Sequence, residues 1–451
     1  MRDLAFVGFL AALLAIGLKR PFLFVMAYAY VDIVAPQRLS FLLLNSIPVS
    51  QIMAALALAS WFFIDDKRHF AVTPRQWLML FLLGYCALTT FHADVPDEAW
   101  LKWDWAWKAL AFGIFLPLTL RTKLRIETCL LFMTLSAGAI IIVGGIKTAL
   151  SGGGYGALNL MVDNNSGLYE GSIISTFAIA LIPIILWFAR FGTIFPSDWR
   201  VKAFCGALVF ACLLIPVGTE ARTGLVCIGV LAILTLRDVK KRLLYIAGAG
   251  LLGLAAIPFL PSSFTNRMET IQGYQADESA NTRLAVWGWT LEYVQTRPFG
   301  GGFEAYRQNR IAVQTVDQRS AGDVQLVTTQ VQADEGRAWH SAYFEMLGEQ
   351  GYPGLLLFLL IHGLGLVRME VLRRRYRDRD GEHAWIAPLA TALQHFQIVY
   401  LVGALFVAVA FQPFIWMALA VQIGFDRWVS RREREALRRP IATGTPAQAL
   451  T

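Results

Sequence analysis

The chain has six histidines, and two of them, His92 and His340, read as lying outside the apolar stretches on the outward side. His69 and His383 sit among basic residues, while His362 and His395 fall within apolar runs, where a packed imidazole is the simpler reading. His340 lies in AWHSAYFEMLGEQG, at the end of a polar stretch whose basic residues are all arginine: Arg267, Arg283, Arg297, Arg307, Arg310, Arg319 and Arg337. Imidazole is the commonest general base near neutral pH, and neighbouring cations hold it unprotonated. A guanidinium fork grips phosphate through two parallel hydrogen bonds, which an ammonium cannot do. Arg222 stands in GTEARTG at the mouth of an apolar run, where a cation is costly and is usually kept for function. Arg283 opens RLAVWGWTLEYVQ, and Arg337 precedes His340 by three residues, on the same face if that turn is helical. Arginines around one base, without a carboxylate pair, suit an anionic lipid headgroup or diphosphate whose partner hydroxyl must lose a proton. The plainer alternatives are a histidine packed for structure and arginines paired with the loop's own Asp and Glu.

These residues must be held by membrane helices. At 451 residues, 56% hydrophobic and 16% charged, with a mean hydropathy of +0.51, the chain could not cover its own core in water. Continuous apolar runs exclude a β-barrel, whose strands alternate. The expected class is an all-α polytopic membrane protein. With about 20 residues per crossing, spans are expected at 3–18, 21–36, 47–64, 76–91, 106–120, 127–149, 171–190, 203–218, 223–236, 243–260, 351–368, 385–409 and 413–426, giving twelve or thirteen crossings. Lys and Arg gather in alternate gaps, which the positive-inside rule assigns to the cytoplasm, together with the C-terminus. The chain divides into an N-terminal helix bundle (1–260), one large outward loop (261–345), C-terminal helices (346–430) and a basic cytoplasmic tail (431–451). The loop is far longer than an ordinary connection, which implies function. Within it, RLAVWGWTLEYVQ suits an interfacial helix and PFGGGFEAY a glycine-rich turn.

Other groups carry weaker signals. HADVPDEAW offers His92, Asp94, Asp97 and Glu98 as divalent-cation ligands, although acidic loops are usually just solvated. Asp378-Arg-Asp380 spells DxD inside a charge-balanced basic run. Trp287, Trp289, Tyr293 and Trp339 fit a headgroup-level aromatic belt better than a sugar-stacking surface, and Trp100, Trp103, Trp105 and Trp107 read as an anchor. The five cysteines have no CxxC spacing and read as buried thiols; no disulfide, metal or cofactor is expected.

GTEARTGLV, NTRLAVWGWTLEYVQTRPFGGGFEAYR and AWHSAYFEMLGEQGYPGLLLFLL, in that order, resemble the O-antigen ligase-like membrane glycosyltransferases, which include O-antigen ligases, chain polymerases and protein O-oligosaccharyltransferases. MRDL, LKRPF and APQRLSF resemble the subgroup of O-glycosylation ligases associated with exosortase systems. The resemblance does not extend to Ile311–Gly336. The resemblance implies a GT-C-type (class B) architecture with one large periplasmic loop, in the bacterial inner membrane. It also implies metal-independent, inverting transfer of a glycan from undecaprenyl diphosphate to an acceptor hydroxyl on lipid A core, a protein Ser/Thr or another glycan, as in lipopolysaccharide biosynthesis or O-glycosylation. His340 would be the base, with Arg222 and Arg283 on the donor diphosphate; Arg337 is added from its position as a third cation. A chain polymerase of the same superfamily, or a transporter of the lipid-linked glycan, remains the alternative.

Overall fold

The structure is a computed structural model that describes residues 2–67, 70–151, 167–237, 278–321 and 324–438, with scattered positions between 241 and 251. The helices are α1 (Arg2–Lys19), α2 (Phe22–Val34), the single turn α3 (Pro36–Leu39), α4 (Val49–Phe63), α5 (Pro74–Phe91), α6 (Pro96–Thr119), α7 (Lys123–Ser151), α8 (Gly171–Phe191), α9 (Trp199–Gly218), α10 (Arg222–Leu236), α11 (Glu278–Thr296), α12 (Ala342–Arg375), α13 (Ile386–Gly403) and α14 (Pro413–Arg438). Strands β1 (Arg310–Ala321) and β2 (Val324–Glu335) lie between α11 and α12.

Every expected span except 243–260 coincides with a described helix; most of 243–260, with Arg267, His69 and residues 439–451, lies outside the described residues. Five described helices are long and apolar enough to cross a membrane: α7, α8, α9, α12 and the Gly381–Gly403 stretch containing α13. Three more, α2, α4 and α10, are apolar but shorter. The charge run expected to begin a tail at residue 431 instead continues α14 as helix to Arg438.

α8 is the central helix, with 83% of its apolar window buried, against 33% for α12, which shows a face to the surroundings. Its start is fixed by Glu170, whose carboxylate accepts from the Ile173 amide at 2.7 Å. Small residues let helices approach closely, the usual membrane solution: Gly145 packs on Ala211, and Gly403 on Thr176. α5 begins with a capping box between Thr73 and Gln76 behind Pro74.

Two features differ from the sequence reading. The segment Ile311–Gly336, expected to lie in an all-helical protein without a recognisable form, is mostly a two-stranded antiparallel ribbon with Arg310 opposite Glu335 and Ala321 opposite Val324. The helix expected from 351 begins at Ala342 and continues across a kink at Gly351 (φ 63°), with Pro353 just beyond. Helix forms on both sides of that break because the backbone groups it frees are taken up by the PFGGG turn. Gly301 and Gly302 donate to the carbonyls of Gly348 and Glu349 at 3.0 and 2.9 Å, and Tyr352 donates to the Pro298 carbonyl at 3.0 Å. A Cβ on Gly351 would lie 2.3 Å from the Pro298 oxygen, so the glycine permits both the left-handed φ and the contact.

Gly351→Ala should therefore destabilise the fold by about 1–3 kcal/mol. Gly363→Ala, on the same helix with open space around its Cβ position, should be neutral or slightly stabilising. Thermal unfolding of both variants in detergent checks this; equal melting temperatures would refute the proposed clamp.

Candidate functional site

His340 sits between two buried residues, Trp339 and Ser341, yet its own side chain opens to the surface. Its backbone adopts φ 47°, a left-handed conformation that is uncommon for a residue with a side chain. Strain of this kind persists only where the surroundings over-determine it. Here they do. The Trp339 indole donates to Thr290 at 2.8 Å, its carbonyl accepts from the Trp287 indole at 2.9 Å, and Ser341 begins α12. Gly348 is required beneath the Trp339 ring, since a Cβ there would lie 2.2 Å from it.

These aromatic residues were expected to form a belt at headgroup level. Trp339 is instead fully buried in a small core with Val286, Ala305 and Ile311, and Trp287 stacks on Phe344 at 4.8 Å. They join α11 to the start of α12 and fix the histidine turn between them.

Electrostatics follow from this placement. Packing around the imidazole withdraws solvent and, with the Arg283 cation next, lowers the His340 pKa below its ordinary 6.5; Glu170 opposes the shift and Arg337 adds to it. The shift favours the neutral imidazole, the form able to accept a proton. Arg283, near the start of α11, and Arg337 are thus close enough for their charges to act on it. The Arg222 segment reaches the same end of the bundle through Glu170: Gly171 packs on Thr219, and Ser175 shares a hydrogen bond with Thr219 at 2.8 Å. Arg222 is the first residue of α10, directly after a turn in which Glu220 has φ 51°. The Nε atoms of Arg222 and Arg283 are both buried.

Arg337, Arg297, Arg307 and Arg310 are each paired with a carboxylate. Arg337 does not share a helical turn with His340; residues 337–340 are irregular, and its guanidinium pairs with Asp334 while its backbone is bracketed by the Asn309 side chain. Arg297 pairs with Asp94 at 3.0 Å, Arg307 with Glu304 and Glu98 at 3.1 and 3.2 Å, and Arg310 with Glu335 at 3.1 Å. Asp94 also accepts from the Tyr293 hydroxyl at 2.5 Å, and His92 Nδ1 lies 2.9 Å from the Leu88 carbonyl. The acidic loop considered for a cation thus serves to anchor the arginine loop.

A buried charge cluster absent from the sequence reading lies just behind the site. Lys102 Nζ, on α6, is 2.7 Å from Glu345, 2.6 Å from Glu349 and 3.7 Å from Glu304. Lys102 and Glu345 are nearly inaccessible and Glu349 fully so. The second oxygen of Glu345 accepts from the Ala410 amide at 2.9 Å, and Glu349 accepts from the Glu304 amide at 3.0 Å. The signal was present: two glutamates four apart lie on one helix face, in a segment leading into the membrane, where ionisable residues mark a partner or a site.

All four expected site residues fall within one matched segment. Residues 207–359 match the O-antigen ligase family. That match supports the superfamily to which the motifs were compared, and it takes in Arg222, Arg283, Arg337, His340, Glu345 and Glu349. Residues 1–193, which carry Lys102, match a family of unknown function (DUF5935). No curated protein matches the chain.

Two outcomes test the geometry of the matched segment. Titration of labelled histidine by NMR should place the His340 midpoint below 6.5; Arg283→Gln removes a cation and should move it upward, whereas Glu170→Gln should move it down. Lys102→Met should cost about 3–5 kcal/mol by stranding two buried carboxylates, and adding Glu349→Gln should recover part of that in thermal unfolding. An unshifted His340 midpoint, or a stable Lys102→Met protein, would contradict these assignments.

Proposed function

We propose that the chain is a membrane glycosyltransferase that transfers a glycan from undecaprenyl diphosphate to an acceptor hydroxyl, with His340 as general base. The observation that carries the reading is an exposed imidazole held in a left-handed turn, its pKa lowered by packing and by Arg283, within the segment matching the O-antigen ligase family. His340 takes the acceptor's hydroxyl proton as the oxygen attacks the anomeric carbon. The bond from that carbon to the diphosphate oxygen breaks, and undecaprenyl diphosphate leaves with inversion. Arg222 and Arg283 hold the diphosphate and neutralise the charge that grows on it. Arg337, bound to Asp334, contributes through its field and holds its segment of the loop.

The reaction requires no metal in this reading, because the arginines supply the positive charge. The setting is the bacterial inner membrane, twelve or thirteen helices in a GT-C-type (class B) arrangement, with the site on the periplasmic face. That orientation rests on the distribution of Lys and Arg among the gaps. The acceptor is lipid A core, a protein Ser/Thr as in the exosortase-associated O-glycosylation ligases, or the end of another glycan as in a chain polymerase. Each needs the same base and the same diphosphate clamp. A transporter of the lipid-linked glycan fits less well, since transport sites tend to lie at mid-membrane and these residues gather at one end of the bundle.

His340→Ala should lower transfer by about 10²–10⁴-fold with donor binding largely kept. Arg222→Ala or Arg283→Ala should lower it by about 10²–10³-fold and weaken donor binding as well. The assay is release of prenyl diphosphate from a fluorescent lipid-linked glycan in proteoliposomes. Full activity in His340→Ala, glycan movement without bond cleavage, or loss of activity in EDTA would each defeat the corresponding part of the proposal.

A further inference from the structure

At the end of the bundle opposite His340, α14 carries Arg427, Arg431 and Arg434 at helical spacing on one face. They border a pocket of about 440 Å³ closed by the α6–α7 joint (Pro117, Leu120, Arg121) and by residues 70–74 ahead of α5. The arginines are held in place by carbonyl oxygens: Arg427 reaches the Pro117 carbonyl at 3.5 Å, Arg431 donates to the Arg121 carbonyl, and Arg434 to that of Ser430 at 3.2 Å. Arg121 is already matched by Asp65, at 2.9 Å. Glu435, 3.5 Å from Arg431, is the one acidic residue in the described lining. Arg427 feels Arg431 as a like charge: burial first, and then that neighbour, lower its pKa. Two guanidiniums partly withdrawn from water side by side raise the local positive potential, which favours an anion in the pocket.

The rest of the lining is apolar. Phe70, Val72, Leu120 and Trp428 face the same space, and Phe70 and Val72 are themselves exposed. A cationic floor under an apolar rim, at the basic end of α14, matches a phosphate joined to an acyl-bearing glycerol. The neighbouring pocket on the other side of Trp428 lacks that excess of charge, because Arg375, Arg379 and Arg432 there meet Glu382, Glu433 and Glu435.

We propose that the pocket between α14, the α6–α7 joint and residues 70–74 binds the phosphate of an anionic phospholipid from the adjoining leaflet. The guanidiniums of Arg427 and Arg431 straddle the phosphate, Arg434 closes over it, and the apolar rim receives the start of the acyl chains. This site is independent of the donor site, from which it is separated by the length of the bundle.

The test uses the purified full chain in neutral detergent, titrated with dioleoylphosphatidylglycerol, dioleoylphosphatidylcholine or inorganic phosphate, with bound lipid counted by native mass spectrometry. Arg427→Gln/Arg431→Gln should weaken phosphatidylglycerol binding by about tenfold or more. Arg375→Gln/Arg432→Gln, which removes the same charge from the neighbouring pocket, should leave it unchanged. Arg434→Gln, at an exposed position, gives a milder loss and serves if the double variant folds poorly. Competition by inorganic phosphate would assign recognition to the phosphate group, and tight phosphatidylglycerol binding without such competition would assign it to the whole lipid headgroup; both support the site. Phosphate binding with no phosphatidylglycerol binding, equal affinity for phosphatidylcholine, or equal losses in the two double variants would overturn the proposal.

Discussion

Much of the site end depends on one lysine buried between two glutamates. Lys102 is 2.6–2.7 Å from Glu345 and Glu349 and almost without solvent. Charges so placed are costly to bury and costly to separate, so the elements carrying them behave as one body. Lys102 comes from α6, the glutamates from the start of α12, and the same carboxylates receive the backbone amides of Glu304 and Ala410. Four stretches of chain that meet nowhere in sequence are thereby held to one point. His340 lies five residues before Glu345, so the turn that presents the imidazole inherits its position from this cluster.

The cluster also relates the two matched segments to each other. Lys102 lies in residues 1–193 and its glutamate partners in residues 207–359, so neither segment alone balances this cluster. The N-terminal segment therefore does more than thicken a bundle: it supplies the cation without which the start of α12 would carry two unmatched carboxylates into an apolar environment. A second tie runs the same way, from Asp94 ahead of α6 to Arg297 and Tyr293 at the end of α11.

What was legible in the sequence follows from how far each signal reaches along the chain. Apolar runs are local, and nearly every expected span coincides with a helix. His340, Arg222 and Arg283 were singled out by residue type and position, and the structure brings the Arg283 charge to His340. Three things were not legible. Gly351 and Pro353 looked like a helix start; the preceding turn is helical because PFGGG, fifty residues earlier, occupies the freed backbone groups. The ribbon from Arg310 to Glu335 was hidden by glutamine and threonine, which blur the alternation of a strand, although the Val and Thr of VQLVTTQVQ favour one. Trp339 looked like a belt residue, because a tryptophan's partners across helices leave no trace in spacing.

Arg337 shows where reasoning from spacing fails. Three residues before a histidine, it would share a face only in a helix, and the segment is instead bent by the left-handed turn that exposes the imidazole. That conformation and a helix are mutually exclusive over the same residues. An exposed imidazole flanked by buried Trp339 and Ser341 requires the chain to reverse its side-chain direction abruptly, which a helix does not do. The geometry that makes His340 available is thus the reason Arg337 turns to Asp334, leaving Arg283, brought in on a separate helix, as the stronger cation acting on the base.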